Sequence, residues 1–324
     1  MKRALSKLVY GAVFAIIMAS CTKVVTKPTP VIPLYKSLEE YSGMTSSQRD
    51  SVIKVDSLPL SVMFGYLGIS EHPDNAILER WSKSDVVKVF TPAVDSVFHN
   101  LDDIEMKLAH ILESCNHDSL DIPHRHYAAV VWGNMRSIVM SDSCMLIALN
   151  HYLGKDFPGY SHLPEYMRAT KNAEQIPFDI CEALIANRYP YKHNEESTVL
   201  SRMLYEGAVI VAKTRLLPYS DPAKCMGYTD EQLTWLSNNR ANIWKKLVAG
   251  NLLYSTSKAD VESIVGPAPY TLPLGSDSPP RAGRYIGYTI VMSYLQNNSV
   301  TKLPQLLSPA FYDNPSILIE AAYE

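Results

Sequence analysis

The chain has 324 residues, of which 47% are hydrophobic and 19% charged, the balance of a globular protein rather than of a disordered or fibrous one. Its 30 Lys and Arg against 33 Asp and Glu leave a net charge of −3, with a pI near 6.3, which excludes the basic footprint of a nucleic-acid-binding protein. There is no Gly-x-Ser-x-Gly elbow, phosphate loop, dinucleotide fingerprint or calcium loop, so the hydrolase, nucleotide and EF-hand classes that depend on them have no support.

The amino terminus carries a basic cluster, Lys2, Arg3 and Lys7, then an apolar run from Leu8 to Met18, then Ala19-Ser20-Cys21. The run is shorter than the roughly 20 apolar residues of a spanning helix, and the small residues before Cys21 suit cleavage by a lipoprotein signal peptidase. Residues 1–20 therefore read as a secretion signal. Cys21 reads as the lipidated first residue of the mature chain, with acyl chains enough for stable membrane anchoring. Pro28, Pro30 and Pro33 resist helix and sheet, so 21–35 reads as an extended tether and 36–324 as one globular domain.

Within that domain, Leu101, Ile104, Leu108 and Ile111 recur at helical spacing. Two β-prone runs follow, Tyr127–Trp132 and Arg136–Met140, separated by Gly133-Asn134. They read as a hairpin, with Ser143–Leu149 as a third strand. Helices are expected again at about 177–187, at 197–216, after the capping box Thr229-Asp230-Glu231-Gln232, and at 282–295. Gly283 and Gly287 in the last of these stand one turn apart and would admit a close neighbouring helix. The fold class expected is α+β: one mostly helical domain with a small central antiparallel sheet.

The cysteines beyond Cys21 are Cys115, Cys144, Cys181 and Cys225; their spacing is not metal-like, and an oxidising compartment permits a disulfide whose pairing the spacing does not reveal. His124 and His126 share one face if extended, but two ligands make no metal site. Tyr254, Tyr270, Tyr285, Tyr288 and Tyr294 form a tyrosine-rich carboxyl half, suited to packing or to a binding face.

Several phrases stand in a characteristic order: Ala148-Leu149-Asn150-His151-Tyr152-Leu153-Gly154-Lys155-Asp156, Leu163-Pro164-Glu165-Tyr166, Met226-Gly227-Tyr228-Thr229-Asp230-Glu231-Gln232-Leu233, Asn251-Leu252-Leu253-Tyr254-Ser255-Thr256, and Gly283-Arg284-Tyr285-Ile286-Gly287-Tyr288. In this order the chain, over roughly residues 45–320, resembles GldB, the gliding-motility-associated lipoprotein family of Bacteroidota. The resemblance implies a cell-envelope lipoprotein. The family is in turn distantly similar to predicted zinc-dependent proteases, which implies a zincin-like scaffold. Those proteases carry His-Glu-x-x-His on one helix and a carboxylate ligand on the next.

On that likeness Glu182 takes the base position and Glu206 the third-ligand position. Cys181 and Ile185 stand where the two histidines belong. Isoleucine cannot ligate a metal, and the residues left fall short of the three protein ligands that a catalytic zinc needs. The expectation is a pseudo-enzyme with a relic pocket of Cys181, Glu182, Ile185 and Glu206, with no catalytic residue, metal or cofactor. Glu206 lies on a stripe with Val199, Met203 and Ile210, so it needs a partner, for which Arg281 and Arg284 are the candidates. The partners expected are the membrane, through the lipid on Cys21, and an envelope protein complex, with no nucleic acid. The absence of acidic residues just after Cys21 points to the periplasmic face of the outer membrane. Two other readings stand beside this one: an envelope hydrolase reorganised around Glu182, Glu206 and His151, and a glycan or small-ligand module using the tyrosines.

Overall fold

A computed structural model describes residues 43–218 and 221–323. The secretion signal, Cys21 and the tether lie outside the described residues.

The amino-terminal part is a run of short helices: α1 (Ser46–Val55), α2 (Ser57–Tyr66), α3 (Asn75–Ser82), α4 (Asp85–Val97) and α5 (Asp102–His117). Their starts are written in the side chains. Thr45 and Gln48 cap α1 reciprocally, Asp74 caps α3 and Ser84 caps α4, each satisfying a backbone N–H that the helix itself leaves unpaired. The expected apolar stripe of α5 is buried at Ile104, Leu108 and Ile111, as is Leu101 just before the helix.

Three strands follow: β1 (His126–Val130), β2 (Ile138–Met140) and β3 (Cys144–Ala148). The sheet order is β1-β3-β2, with β1 parallel to β3 and β2 antiparallel to it. This corrects the expectation of an antiparallel sheet with β1 and β2 as a hairpin. The hairpin is instead β2–β3, closed by Ser141, whose hydroxyl accepts from Cys144 N–H at 3.0 Å. Two physical causes are visible. All five residues of β3 are buried, so it has no face to offer solvent and goes to the centre, while β1 and β2 keep partly exposed positions at the edges. The run out of β1 is also intercepted: the Asn150 side chain accepts from Trp132 N–H (3.2 Å) and donates to Trp132 C=O (2.9 Å), standing in for a strand partner.

The carboxyl-terminal part holds the longer helices: α6 (Ile176–Arg188), α7 (Val199–Leu216), α8 (Asp230–Ala249), α9 (Lys258–Val265) and α10 (Ala282–Asn297). The capping box expected at Thr229 is present at the start of α8, and Thr198 with Ser201 forms another on α7. The central element is α7, buried on nearly all sides, with α5, α6, α9 and α10 packed around it. Helix α6 also packs on β2, which joins the helical half to the sheet. The α+β class with mostly helical content stands. No helix among the described residues is long and apolar enough to cross a membrane.

The tightest approach is between α7 and α10. A Cβ on Gly287 would lie 1.8 Å from the Met203 carbonyl oxygen, and one on Gly207 would lie 2.3 Å from the Gly287 carbonyl carbon. Gly283 is crowded by side chains instead, the nearest being the Ile264 Cγ2 methyl of α9 at 2.4 Å. In an ordinary helix interior Gly→Ala is favourable by roughly 1 kcal/mol. At Gly207 and Gly287 the sign reverses, because the atoms met are backbone and cannot turn aside. Gly287→Ala should destabilise the chain by about 3 kcal/mol or more, the upper range of overpacking costs, measured by urea unfolding. A neutral or stabilising result would contradict this close crossing.

Candidate functional site

The crossing brings charged side chains from three helices into the interior. Glu182 lies on α6, Glu206 and Lys213 on α7 two turns apart, and Arg284 on the first turn of α10. Lys213 Nζ donates to Glu182 Oε2 at 2.8 Å, and Arg284 Nη2 lies 3.3 Å from the same oxygen. Arg284 Nε lies 3.0 Å from Glu206 Oε2, and the other oxygen of Glu206 meets Arg202 Nη2 at 2.6 Å. Glu182 and Glu206 are therefore held together by one guanidinium between them. The charge that joins the two carboxylates comes from the chain itself.

The burial of these groups is uneven. The side chains of Lys213 and Arg284 are 2% and 5% exposed and that of Glu206 11%, whereas 39% of the Glu182 side chain remains accessible. The cations form a dry back wall, and Glu182 faces a space that solvent reaches. Burial on its own would raise the Glu182 carboxyl; the charges of Arg284 and Lys213, with the Lys213 hydrogen bond, outweigh it and hold the group well below the usual carboxylate range. Burial likewise works against charge on Arg284, and Glu182 and Glu206 more than offset it, so its guanidinium is held the more firmly protonated.

One turn before Glu182, Asp179 accepts from Tyr152 Oη at 2.8 Å and from Gln175 Nε2 at 3.0 Å, while burial raises its carboxyl. Gln175 also lines a cleft of about 680 Å³ between residues 166–175 and 221–232, which Tyr228 and Pro280 border as well. Tyr228 in turn donates to the Arg281 carbonyl at 2.9 Å.

Of the residues singled out in sequence, Glu182, Glu206 and Arg284 are brought together, with Arg284 as the ion-pair partner of Glu206. Cys181 and Ile185 are wholly buried. All four described cysteines are free thiols and buried, so the disulfide that the compartment permits is not formed among them. Burial raises the thiols, Cys115 to about 12 and Cys144 to about 11, which leaves them inert as nucleophiles. No group of three or more His, Cys, Asp or Glu among the described residues is arranged to hold a metal. His124 and His126 are exposed on either side of buried Arg125, their rings 6.4 Å apart.

His151 joins neither carboxylate. Its Nε2 lies 2.9 Å from the Asn134 carbonyl and its Nδ1 3.2 Å from Lys171 Nζ. A carbonyl can only accept and an ammonium only donate, so the proton is on Nε2 and the ring is neutral. The five tyrosines do not share a face: Tyr254 is exposed, Tyr285 is buried and Tyr294 packs edge-on against Phe311. A tighter aromatic group lies elsewhere, where Tyr191, Tyr205 and Tyr312 meet with centroids 5.1–5.6 Å apart and Arg202 stands over Tyr191 at 4.9 Å. Sequence reasoning missed Lys213, Arg202 and Asp179. Arg202 and Lys213 did carry a signal, since they lie four residues before and seven after Glu206, on its own helix face.

A family profile described as gliding motility protein GldB matches residues 36–324. The chain belongs to the GldB family. Membership associates it with the cell envelope and with gliding motility. No curated protein and no solved structure matches it.

Two outcomes follow for this GldB-family chain. Arg284→Met removes the shared partner of two carboxylates and should cost about 3–5 kcal/mol in urea unfolding, the usual result of breaking a buried pair from one side. His151 is the pH-sensitive group: burial, with the Lys171 charge, lowers it from 6.5 to about 4. Its folded pKa is depressed, so between about pH 6.5 and 4 the unfolded chain binds the proton first, and stability falls on acidification through that window. The loss reaches up to about 3 kcal/mol, and His151→Asn should remove most of it when variant and parent are compared at pH 7 and pH 4.5.

Proposed function

We propose that the chain is an envelope lipoprotein that acts by binding or assembly rather than by hydrolysis, on a scaffold derived from zincin-like ancestors. Its anchor is the lipid on Cys21, its place the periplasmic face of the outer membrane, and its partners other envelope proteins. The observation that supports the non-catalytic reading is the state of Glu182. A general base works best with a pKa near the operating pH. Glu182 is paired with Lys213 at 2.8 Å and Arg284 at 3.3 Å and held well below that, so it is a poor acceptor for a proton from water. Its relation to Glu206 is likewise taken up by Arg284, which leaves the two carboxylates committed to the chain's own cations.

The tests address the anchor and the chemistry separately. Metabolic labelling with an alkynyl fatty acid should tag the wild-type chain, and Cys21→Ser should lose the tag and accumulate unprocessed. Zinc analysis of the full chain, purified from membranes in detergent, should find well under one equivalent. Stoichiometric zinc, together with a peptidase activity abolished in Glu182→Gln, would falsify the non-catalytic reading. In situ crosslinking of tagged chain should recover a discrete envelope protein, and recovery of none counts against the assembly role.

A further inference from the structure

The ion-pair network continues past Glu206 to the surface, because Arg202, whose Nη2 meets Glu206 Oε1 at 2.6 Å, also lines a cleft of about 270 Å³. The segment leading into α7 supplies one part of its wall, with Tyr191, His193 and Ser197; Thr256 and the first turns of α9, with Lys258 and Val261, supply another. Backbone bonds fix the two parts to each other. Val199 N–H donates to the Ser255 carbonyl and Leu200 N–H to the Leu253 carbonyl, both at 2.9 Å, which ties the start of α7 to the loop that enters α9. Ser197 is buried, and its hydroxyl accepts from Asn194 N–H at 2.9 Å.

Arg202 is held rigidly in this cleft. Its guanidinium stands 4.9 Å from the centroid of the Tyr191 ring and 5.6 Å from that of Tyr205. Those rings are fastened in turn: Tyr205 Oη donates to the Tyr189 carbonyl at 2.9 Å, and Tyr312, which packs against both rings, accepts from Lys192 N–H at 3.0 Å. A guanidinium stacked on aromatic rings and pinned by a carboxylate has little rotamer freedom left to lose when it binds something else. Its donors are mostly unused. Nε is buried without an acceptor, and Nη1 donates to no described residue.

The cleft's second cation is also unmatched. Lys258 is the first residue of α9, where the partial positive charge of the helix end already disfavours an ammonium. It makes no ion pair with any described residue. Glu262 lines the cleft one turn later but pairs with neither Lys258 nor Arg202; its Oε2 lies against Gly266 at the other end of the helix. Asp260 is occupied as well, accepting from Ser255 Oγ at 2.5 Å. A fixed guanidinium and an ammonium lining one small cleft, with the nearby carboxylates turned elsewhere, match the charge and the several acceptor oxygens of an oxyanion.

We propose that this cleft binds a small anionic ligand through a carboxylate or phosphate group held by Arg202 and Lys258. The volume admits a body about the size of one sugar ring or one amino acid, and the Thr256 hydroxyl and the exposed His193 ring are free to meet its polar groups. The site goes beyond the assembly role argued above and stands without it. Failure to recover an envelope partner, or zinc-dependent peptidase activity, would strike that reading and leave the anion response in place.

The test titrates the full chain in detergent at pH 7 with sodium phosphate or sodium acetate, each replacing sodium chloride at constant ionic strength, and reads Tm. One or both anions should give a saturating rise over chloride, of about 2 °C at ten times the Kd. Which anion saturates at the lower concentration tells a phosphate ligand from a carboxylate. Lys258→Gln, at an exposed position, should leave the starting Tm unchanged and raise the midpoint concentration about threefold or more. Arg202→Gln should abolish the saturating rise; it also removes a partner of Glu206, so Lys258→Gln decides the matter if that variant does not fold. No saturating rise in the wild type with either anion, or an unmoved midpoint in Lys258→Gln, overturns the site.

Discussion

Two helix backbones touch where Gly207 of α7 meets Gly287 of α10, and the rest of the carboxyl-terminal half is arranged around that contact. With no side chain between them, the helices come close enough for Glu206, the residue before Gly207, to reach Arg284 one turn before Gly287. Helix α6 also packs on α7 and adds Glu182, which reaches the same Arg284. A methyl group at either glycine would separate α7 from α10 and draw Arg284 away from Glu206. Packing and charge are thus one constraint: the crossing places the ions, and the ions penalise any other rotation of the helices, since each would leave a charge buried alone.

Buried ion pairs are weak evidence for stability, because desolvation offsets most of the attraction. A well-packed apolar cluster of the same volume would hold α6, α7 and α10 at least as firmly. What the ionic cluster adds is specificity of arrangement and a polar interior that solvent reaches on one side. Lys213 and Arg284 are sealed while Glu182 is not, so the desolvation falls chiefly on the cations, and the accessible carboxylate keeps part of its hydration. That asymmetry makes Glu182 the most accessible member of the cluster.

Helix positions were readable from sequence because their signals are local. The stripe of α5, the capping box at Thr229 and the glycine spacing of α10 each lie within a few residues. The sheet was misread for the opposite reason. Gly133-Asn134 has the chemistry of a turn, yet the decisive bonds come from Asn150, 16 residues further on, and from the burial of β3 on both faces. Strand order is a non-local property, and turn residues do not report it. The site divides in the same way. Glu206 stood out because a carboxylate on an apolar stripe is anomalous by itself. Lys213 closes a helix rich in small apolar residues, where a lysine ordinarily reaches solvent, and only the fold 31 residues back to Glu182 gives it a buried role.

The proposed non-catalytic role rests on a substitution of one source of charge for another. In a metallohydrolase the site's positive charge resides in a metal that also activates water. Here Arg284 and Lys213 supply positive charge to Glu182 and Glu206, and neither can lower the pKa of a bound water as a metal does. Guanidinium and ammonium groups do retain the other half of a metal's work, the attraction of an oxyanion. Helix α10 begins with two arginines, Arg281 and Arg284, one turn apart. The second is engaged by both carboxylates, while the first takes a left-handed backbone and makes no ion pair with either.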